Sequence, residues 1–134
     1  MTDRIATLTP ALAILCRRHL DALAVDGIRA VVAQALRTEE QQAALWAQGR
    51  TKPGKRVTMA QHASDTPHGP GKDGLGRAYD IAIYDGLVLS WADHMLPLYD
   101  RAGEIGEALG LVWGGRFHSL PDRPHYEMKG WRDR

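Results

Sequence analysis

Between residues 50 and 77 the sequence carries no apolar period of either kind. Nothing recurs at three and four as a helix requires, nothing alternates as a strand requires, and Gly and Pro punctuate the stretch. A loop of that length is abnormal in a 134-residue chain, because ordering it costs backbone entropy that no local core repays. It holds His62, Ser64, Thr66 and His68, polar groups that favour a functional loop over a slack one. It also sets Arg50, Lys52, Lys55, Arg56, Lys72 and Arg77 against Asp65 and Asp73, so an anionic ligand is welcome there.

The remaining residues must supply the core. At 134 residues and 44% apolar content the chain has the material for one domain, residues 1–134, without a disulfide framework. Seventeen Lys and Arg against sixteen Asp and Glu give no global field, so neither nucleic acid nor a membrane is an expected partner. The one cysteine, Cys16, excludes a Cys-rich zinc module and leaves any metal to His and carboxylates. Ile5 to Cys16 is apolar but is not read as a signal peptide. No basic run precedes it, Thr9-Pro10 interrupts it, and Arg17-Arg18 follow at once.

Caps and periods place the elements. Thr9-Pro10 opens a helix over 10–24 with Leu12, Leu15, His19, Leu20 and Leu23 as its stripe, and Gly27 breaks it. Ile28 to Leu36 reads as a strand, and the capping box Thr38-Glu39-Glu40-Gln41 starts a helix over 39–48. Residues 78–84 alternate, with Tyr79, Ile81 and Ile83 on a face that packs on helices. Ala78, Asp80 and Ala82 lie on the other, with open space expected beside Asp80. Asp85-Gly86 marks a hairpin. Ser90 is the expected cap of a third helix, with Leu98, Ala102, Ile105 and Leu109 as its stripe. Short strands at 111–113 and 125–128 complete an α+β domain, a small antiparallel sheet of three or four strands with helices packed on one face.

Asp80 on its open face needs partners, and His68 and His125 are the candidates. Two neutral imidazoles and a carboxylate hold Zn2+ and leave its fourth position for water, which is a catalytic rather than a structural ligand set. Asp122, three residues before His125 with Pro124 between, is placed to act as general base. Arg37, where a strand hands over to a helix, is placed to hold a substrate carboxylate or oxyanion with a fork of donors.

Thr66-Pro67-His68, Gly76-Arg77-Ala78-Tyr79-Asp80 and Asp122-Arg123-Pro124-His125 resemble the signatures of zinc D-alanyl-D-alanine carboxypeptidases and dipeptidases. The likeness is greater to their L-alanyl-D-glutamate endopeptidase branch, to which phage endolysins belong. Arg37-Thr38-Glu39-Glu40-Gln41, Leu45-Trp46-Ala47-Gln48-Gly49-Arg50 and Gly110-Leu111 before Trp113-Gly114-Gly115 look like that branch's other landmarks in the same order.

The resemblance implies a hedgehog/DD-peptidase-like fold and a zinc peptidase that cuts murein stem peptides at L-alanyl-D-glutamate. It assigns His68, Asp80 and His125 to zinc and Asp122 to acid/base work, and it assigns Arg37 to orienting substrate, with Thr66 where the family has serine. Trp113 and His118 are further candidates for substrate contact. The His68–Asp80 interval is longer than the family's by a Gly-rich insertion within Gly69–Leu75, and His62 stands as the reserve ligand. No cell-wall-binding domain is expected in the remaining length. The expected product is a monomer made in a host cytoplasm and acting on the wall after release. The alternatives are a D-alanyl-D-alanine carboxypeptidase and a non-catalytic metal-binding module of the same fold.

Overall fold

The computed structural model describes residues 3–133. After a 3-10 turn at Arg4–Thr7 come helix α1 (Pro10–Val25), strand β1 (Ala30–Gln34) and helix α2 (Glu39–Ala47). Strands β2 (Ala78–Asp85) and β3 (Val88–Ser90), helix α3 (Leu96–Ala108) and strands β4 (Val112–Trp113) and β5 (His125–Glu127) follow. Of the long loop, only Ala63–Asp65 forms an element, one 3-10 turn.

The strands form one antiparallel sheet in the order β1-β2-β5-β4, with β3 paired to the end of β2, which makes five strands rather than three or four. Register does most of the work of placement. In the β2–β5 pair Asp80 lies opposite His125 and Tyr79 opposite Tyr126. Cross-strand partners share a face, so this one alignment sends the polar pair to one side and the tyrosines to the other. The tyrosine rings stack at 5.6 Å beneath α1 and α3, which pack on each other, on β1 and on β4. A register shift between Val32 and Gln34 in β1 brings Gln34 opposite Asp80.

Thr9 caps α1 by accepting from the Leu12 N–H, with Pro10 at the helix start, as the sequence requires. The buried line on that helix is Leu12, Cys16, His19 and Leu23, while Leu15 and Leu20 are only partly covered. α2 has the full capping box between Thr38 and Gln41. It stays out of the α1–α3 layer and packs against the turn at 63–65.

Three expectations fail. Ser90 does not cap α3: its hydroxyl accepts from Ala92, and a 3-10 turn at Asp93–Met95 leads into a helix that starts at Leu96 with Pro97 in its first turn. The buried face of α3 is Tyr99, Ala102, Gly103 and Gly106, whereas Leu98 is exposed. Glycines carry no apolar signal, yet here they let the helix close on the sheet, since a Cβ at position 103 would strike the Trp113 ring. Nor is there open space along the Asp80 face of β2. Ala78 and Ala82 are fully buried, and only Asp80 between them keeps partial exposure.

His19 is a buried core residue with both ring nitrogens occupied. Its Nε2 donates to the Ala102 carbonyl at 3.0 Å, and its Nδ1, 2.7 Å from the Tyr79 hydroxyl, accepts. Burial therefore lowers its pKa below the usual 6.5. In the unfolded chain the same ring takes up a proton near that value, so the stability it contributes is full above about pH 6.5 and declines as pH falls below it. We expect the wild type to lose up to about 1.4 kcal/mol per pH unit more than His19→Gln across that window. Urea titrations of the two chains from pH 7.5 to 5 read the difference, and parallel curves would refute it.

Candidate metal centre and catalytic cleft

His68 is held by the long loop. Thr66 closes that loop locally, its hydroxyl donating to the Ala63 carbonyl and accepting from Gly69 N–H. Gly69 is required there, because a Cβ would run into the Ala63 carbonyl. The loop is then laced to the sheet: Arg37 N–H donates to the His68 carbonyl at 2.8 Å, and His68 Nδ1 donates to the Ala35 carbonyl at 2.7 Å. The Gly-rich insertion turns outward and leaves His68, not His62, beside Asp80. His62 is largely exposed and pairs with Glu39 at 2.9 Å.

His68, Asp80 and His125 form a group whose donor atoms converge. His68 Nε2 lies 3.1 Å from His125 Nδ1 and 3.3 Å from Asp80 Oδ1, and His125 Nδ1 lies 3.1 Å from the same oxygen. The far nitrogens fix the tautomers. A carbonyl can only accept, so His68 carries its proton on Nδ1. Glu127 Oε1, 2.8 Å from His125 Nε2, claims the proton of that ring. Two imidazole lone pairs and a carboxylate oxygen therefore point at one spot, which is repulsive unless a positive charge sits among them.

The ionisation behaviour agrees. Burial by itself raises Asp80 and lowers His125, but the hydrogen bonds between them reverse both effects. Asp80 is held below the ordinary carboxylate range, and His125, helped by Glu127, is pushed up to about 9. Left alone, the cluster traps a proton. A metal ion does the same electrostatic work, and a tetrahedral shell with bonds of about 2.0–2.1 Å separates its donors by roughly 3.3–3.4 Å, close to the spacing present. The donor set fits zinc: two neutral imidazoles and one carboxylate, with backing acceptors at Ala35 and Glu127.

Asp122 stands beside this group without joining it. Its carboxylate is half exposed and lies 4.0 Å from His125 Nδ1. Its pKa is raised, first by removal from water in the cleft and then by the negative charge of Asp80. Arg37 is buried, and its fork is already engaged. Nη1 donates to Gln42 Oε1 at 2.7 Å and Nη2 to Gln34 Oε1 at 2.8 Å, while Nε is buried with no acceptor among the described residues. The two glutamines fix the plane of the guanidinium, whose pKa is lowered by burial against the opposing pull of the Asp80 and Asp122 charges. Gln42 is itself fully buried and ties the loop to the site by donating to Thr58 Oγ1 and the Ala60 carbonyl.

Thr66 is buried. Trp113 is buried, with its indole N–H donating to the Arg123 carbonyl at 2.7 Å, and His118 is exposed and outside the converging group. Sequence reasoning missed three residues: Gln34, Gln42 and Glu127. Glu127 was detectable, since it lies two positions from His125 in a strand and so on the same face. Gln34 and Gln42 had no such signal.

The family model described as D-alanyl-D-alanine carboxypeptidase matches residues 72–128, a range that includes Asp80, Asp122 and His125 and begins after His68. The chain is 31% identical over 130 residues to the peptidoglycan L-alanyl-D-glutamate endopeptidase CwlK of Bacillus subtilis, covering 85% of this chain and 71% of that protein. It is 26% identical over 117 residues to the L-alanyl-D-glutamate peptidase of Listeria phage A118, covering 86% of this chain but only 36% of the phage protein. Among solved structures, the L-Ala D-Glu endopeptidase ChiX of Serratia marcescens superimposes with a TM-score of 0.66 at 22% identity, over 97% of this chain and 86% of that one. The vancomycin-resistance D,D-pentapeptidase VanY, solved with Zn(II), gives 0.57 at 17% identity, over 92% and 74%. At these identities the two structures establish a shared fold.

Proposed function

This chain belongs to the family of D-alanyl-D-alanine carboxypeptidases and L-alanyl-D-glutamate endopeptidases, and from that premise we propose that it is a zinc peptidase of peptidoglycan that cuts the L-alanyl-D-glutamate bond of murein stem peptides. One observation carries the reading: the lone pairs of His68, Asp80 and His125 meet at a single point, with the free carboxylate of Asp122 at its edge.

His68, Asp80 and His125 hold the zinc, which when bound supplies a Lewis acid for the scissile carbonyl and makes water acidic enough to attack near neutral pH. Asp122 takes the proton of the attacking water and returns it to the departing amine. Removal of its carboxyl from water in the cleft favours the protonated form, which helps it hold that proton until the amine departs. Arg37, clamped by Gln34 and Gln42, presents fixed positive charge to the substrate. Glu127 holds the orientation of the His125 ring.

All of these groups come from one chain, which supports action as a monomer. The phage relative supports a role in host lysis from within. No helix among the described residues is long and apolar enough to cross a membrane.

The choice of bond is tested by digesting purified murein and weighing the fragments. We expect release of the stem beginning at D-glutamate, leaving L-alanine on the sugar. Loss of terminal D-alanine alone would assign the chain to the carboxypeptidase activity instead. No cleavage by zinc-loaded protein would leave a non-catalytic binding module.

A further inference from the structure

A surface cavity of about 410 Å³ opens beside α3 and β4, with Phe117 in its lining. The Phe117 ring lies 5.6 Å from the His125 ring and also lines this cavity, so the two spaces share one wall. The wall's position is fixed. The Gly114 carbonyl accepts from both Phe117 N–H at 3.1 Å and Asp122 N–H at 2.9 Å, which closes the intervening loop at its base. Gly114 has no room for a side chain against the Asp122 backbone and His125. The loop that carries Phe117 is therefore tied at its base to Asp122.

Leu111, Trp113 and Phe117 give the cavity an apolar floor. Its one carboxylate, Glu107, is taken by Arg116 through two hydrogen bonds at 2.9 and 3.1 Å, and Arg116 in turn lies over Trp113. That leaves Lys129, exposed at the rim and without an ion pair among the described residues, as the uncompensated charge. An apolar trough with one open cation suits a ligand with an aliphatic body and a carboxylate.

We propose that this cavity is a substrate subsite for the carboxylate-bearing segment on the amine side of the scissile bond, with Lys129 as its counter-charge and Phe117 as the partition from the reaction centre. The inference rests on the peptidase reading for its choice of side. On the other side of an L-alanyl-D-glutamate bond lie an alanine and a neutral sugar ether, whereas the amine side brings free carboxylates.

The test compares wild type, Lys129→Glu and Lys129→Arg on a stem tripeptide with free carboxylates and on the same peptide with its carboxylates amidated. Binding of the corresponding amine-side dipeptides, which contain no bond to cut, is measured in parallel by calorimetry. We expect the preference for free over amidated peptide, in kcat/KM and in Kd, to fall about tenfold in Lys129→Glu, to survive in Lys129→Arg, and to weaken with added salt. An unchanged preference in Lys129→Glu would eliminate the subsite. If the wild type cleaves neither peptide yet the binding preference still falls in Lys129→Glu, the peptidase reading fails and the anion site stands.

Discussion

Replacing Asp122 with alanine is expected to leave a folded chain that still takes up one zinc ion while kcat falls by about 10²–10⁴-fold, the range ascribed to one positioned acid–base group. The expectation follows from where the carboxylate sits. It lies 4.0 Å from His125 Nδ1 and outside the three-atom convergence, so its loss removes no donor from the metal. Its side chain is half exposed and its backbone N–H is satisfied by the Gly114 carbonyl, so alanine opens no cavity in the core and strands no buried polar atom. Zinc content by elemental analysis, beside turnover of a stem peptide, reads both halves of the prediction. A zinc-free Asp122→Ala protein would make Asp122 a ligand and overturn the assignment of roles. Full activity with zinc in place would leave the proton transfer to another group.

Removing the metal has the second large effect. A chelator is expected to abolish cleavage, and stoichiometric zinc to restore it. Without the ion, two imidazole lone pairs and a carboxylate face one another at 3.1–3.3 Å around one trapped proton, an arrangement that a divalent cation relieves more fully. Because the ion binds the folded chain and not the unfolded one, zinc at a hundred times its Kd adds about 2.7 kcal/mol of stability, worth roughly 10 °C in melting temperature for a chain of this size. Asp80→Ala takes away the shared carboxylate and should lose both the zinc and the zinc-dependent rise in melting temperature. His62→Ala should keep both, since His62 is committed to Glu39 on the surface. A melting temperature indifferent to zinc in the wild type would mean that the cluster is only a hydrogen-bonded triad.

Much of this molecule is legible before any coordinates, and the legible parts share a cause: they are decided within a few residues along the chain. Thr9 before Pro10 and Thr38 three residues before Gln41 announce helix starts, because a side-chain oxygen and a free backbone N–H meet within one turn. The alternation in Tyr79, Asp80 and Ile81 separates the core face of β2 from its polar face for the same reason. The third helix is where this kind of reading slips. Its buried face is built on Gly103 and Gly106, whose value lies in how near Trp113 and Tyr126 can come, a matter of contacts across the fold that no hydropathy pattern records.

The site divides along the same line. His68, Asp80, Asp122, His125 and Arg37 stand out in the sequence because they fall in motifs of recognisable spacing and order. Two of their supports, Gln34 and Gln42, do not stand out. Gln34 reaches Arg37 beside Asp80 only because a register shift in β1 displaces it, and Gln42 matters only because a distant loop lays Thr58 and Ala60 against it. The sequence ranked His68 above His62 and kept the latter in reserve, since either could be swung toward Asp80 by so long a loop. The choice is made by two hydrogen bonds from that loop to the end of β1, at Ala35 and Arg37, and by a glycine at 69 with no room for a side chain. Chain chemistry names the atoms able to bind a cation. Which of their lone pairs meet depends on cross-strand register and loop closure, and those are set by packing between segments far apart in the sequence.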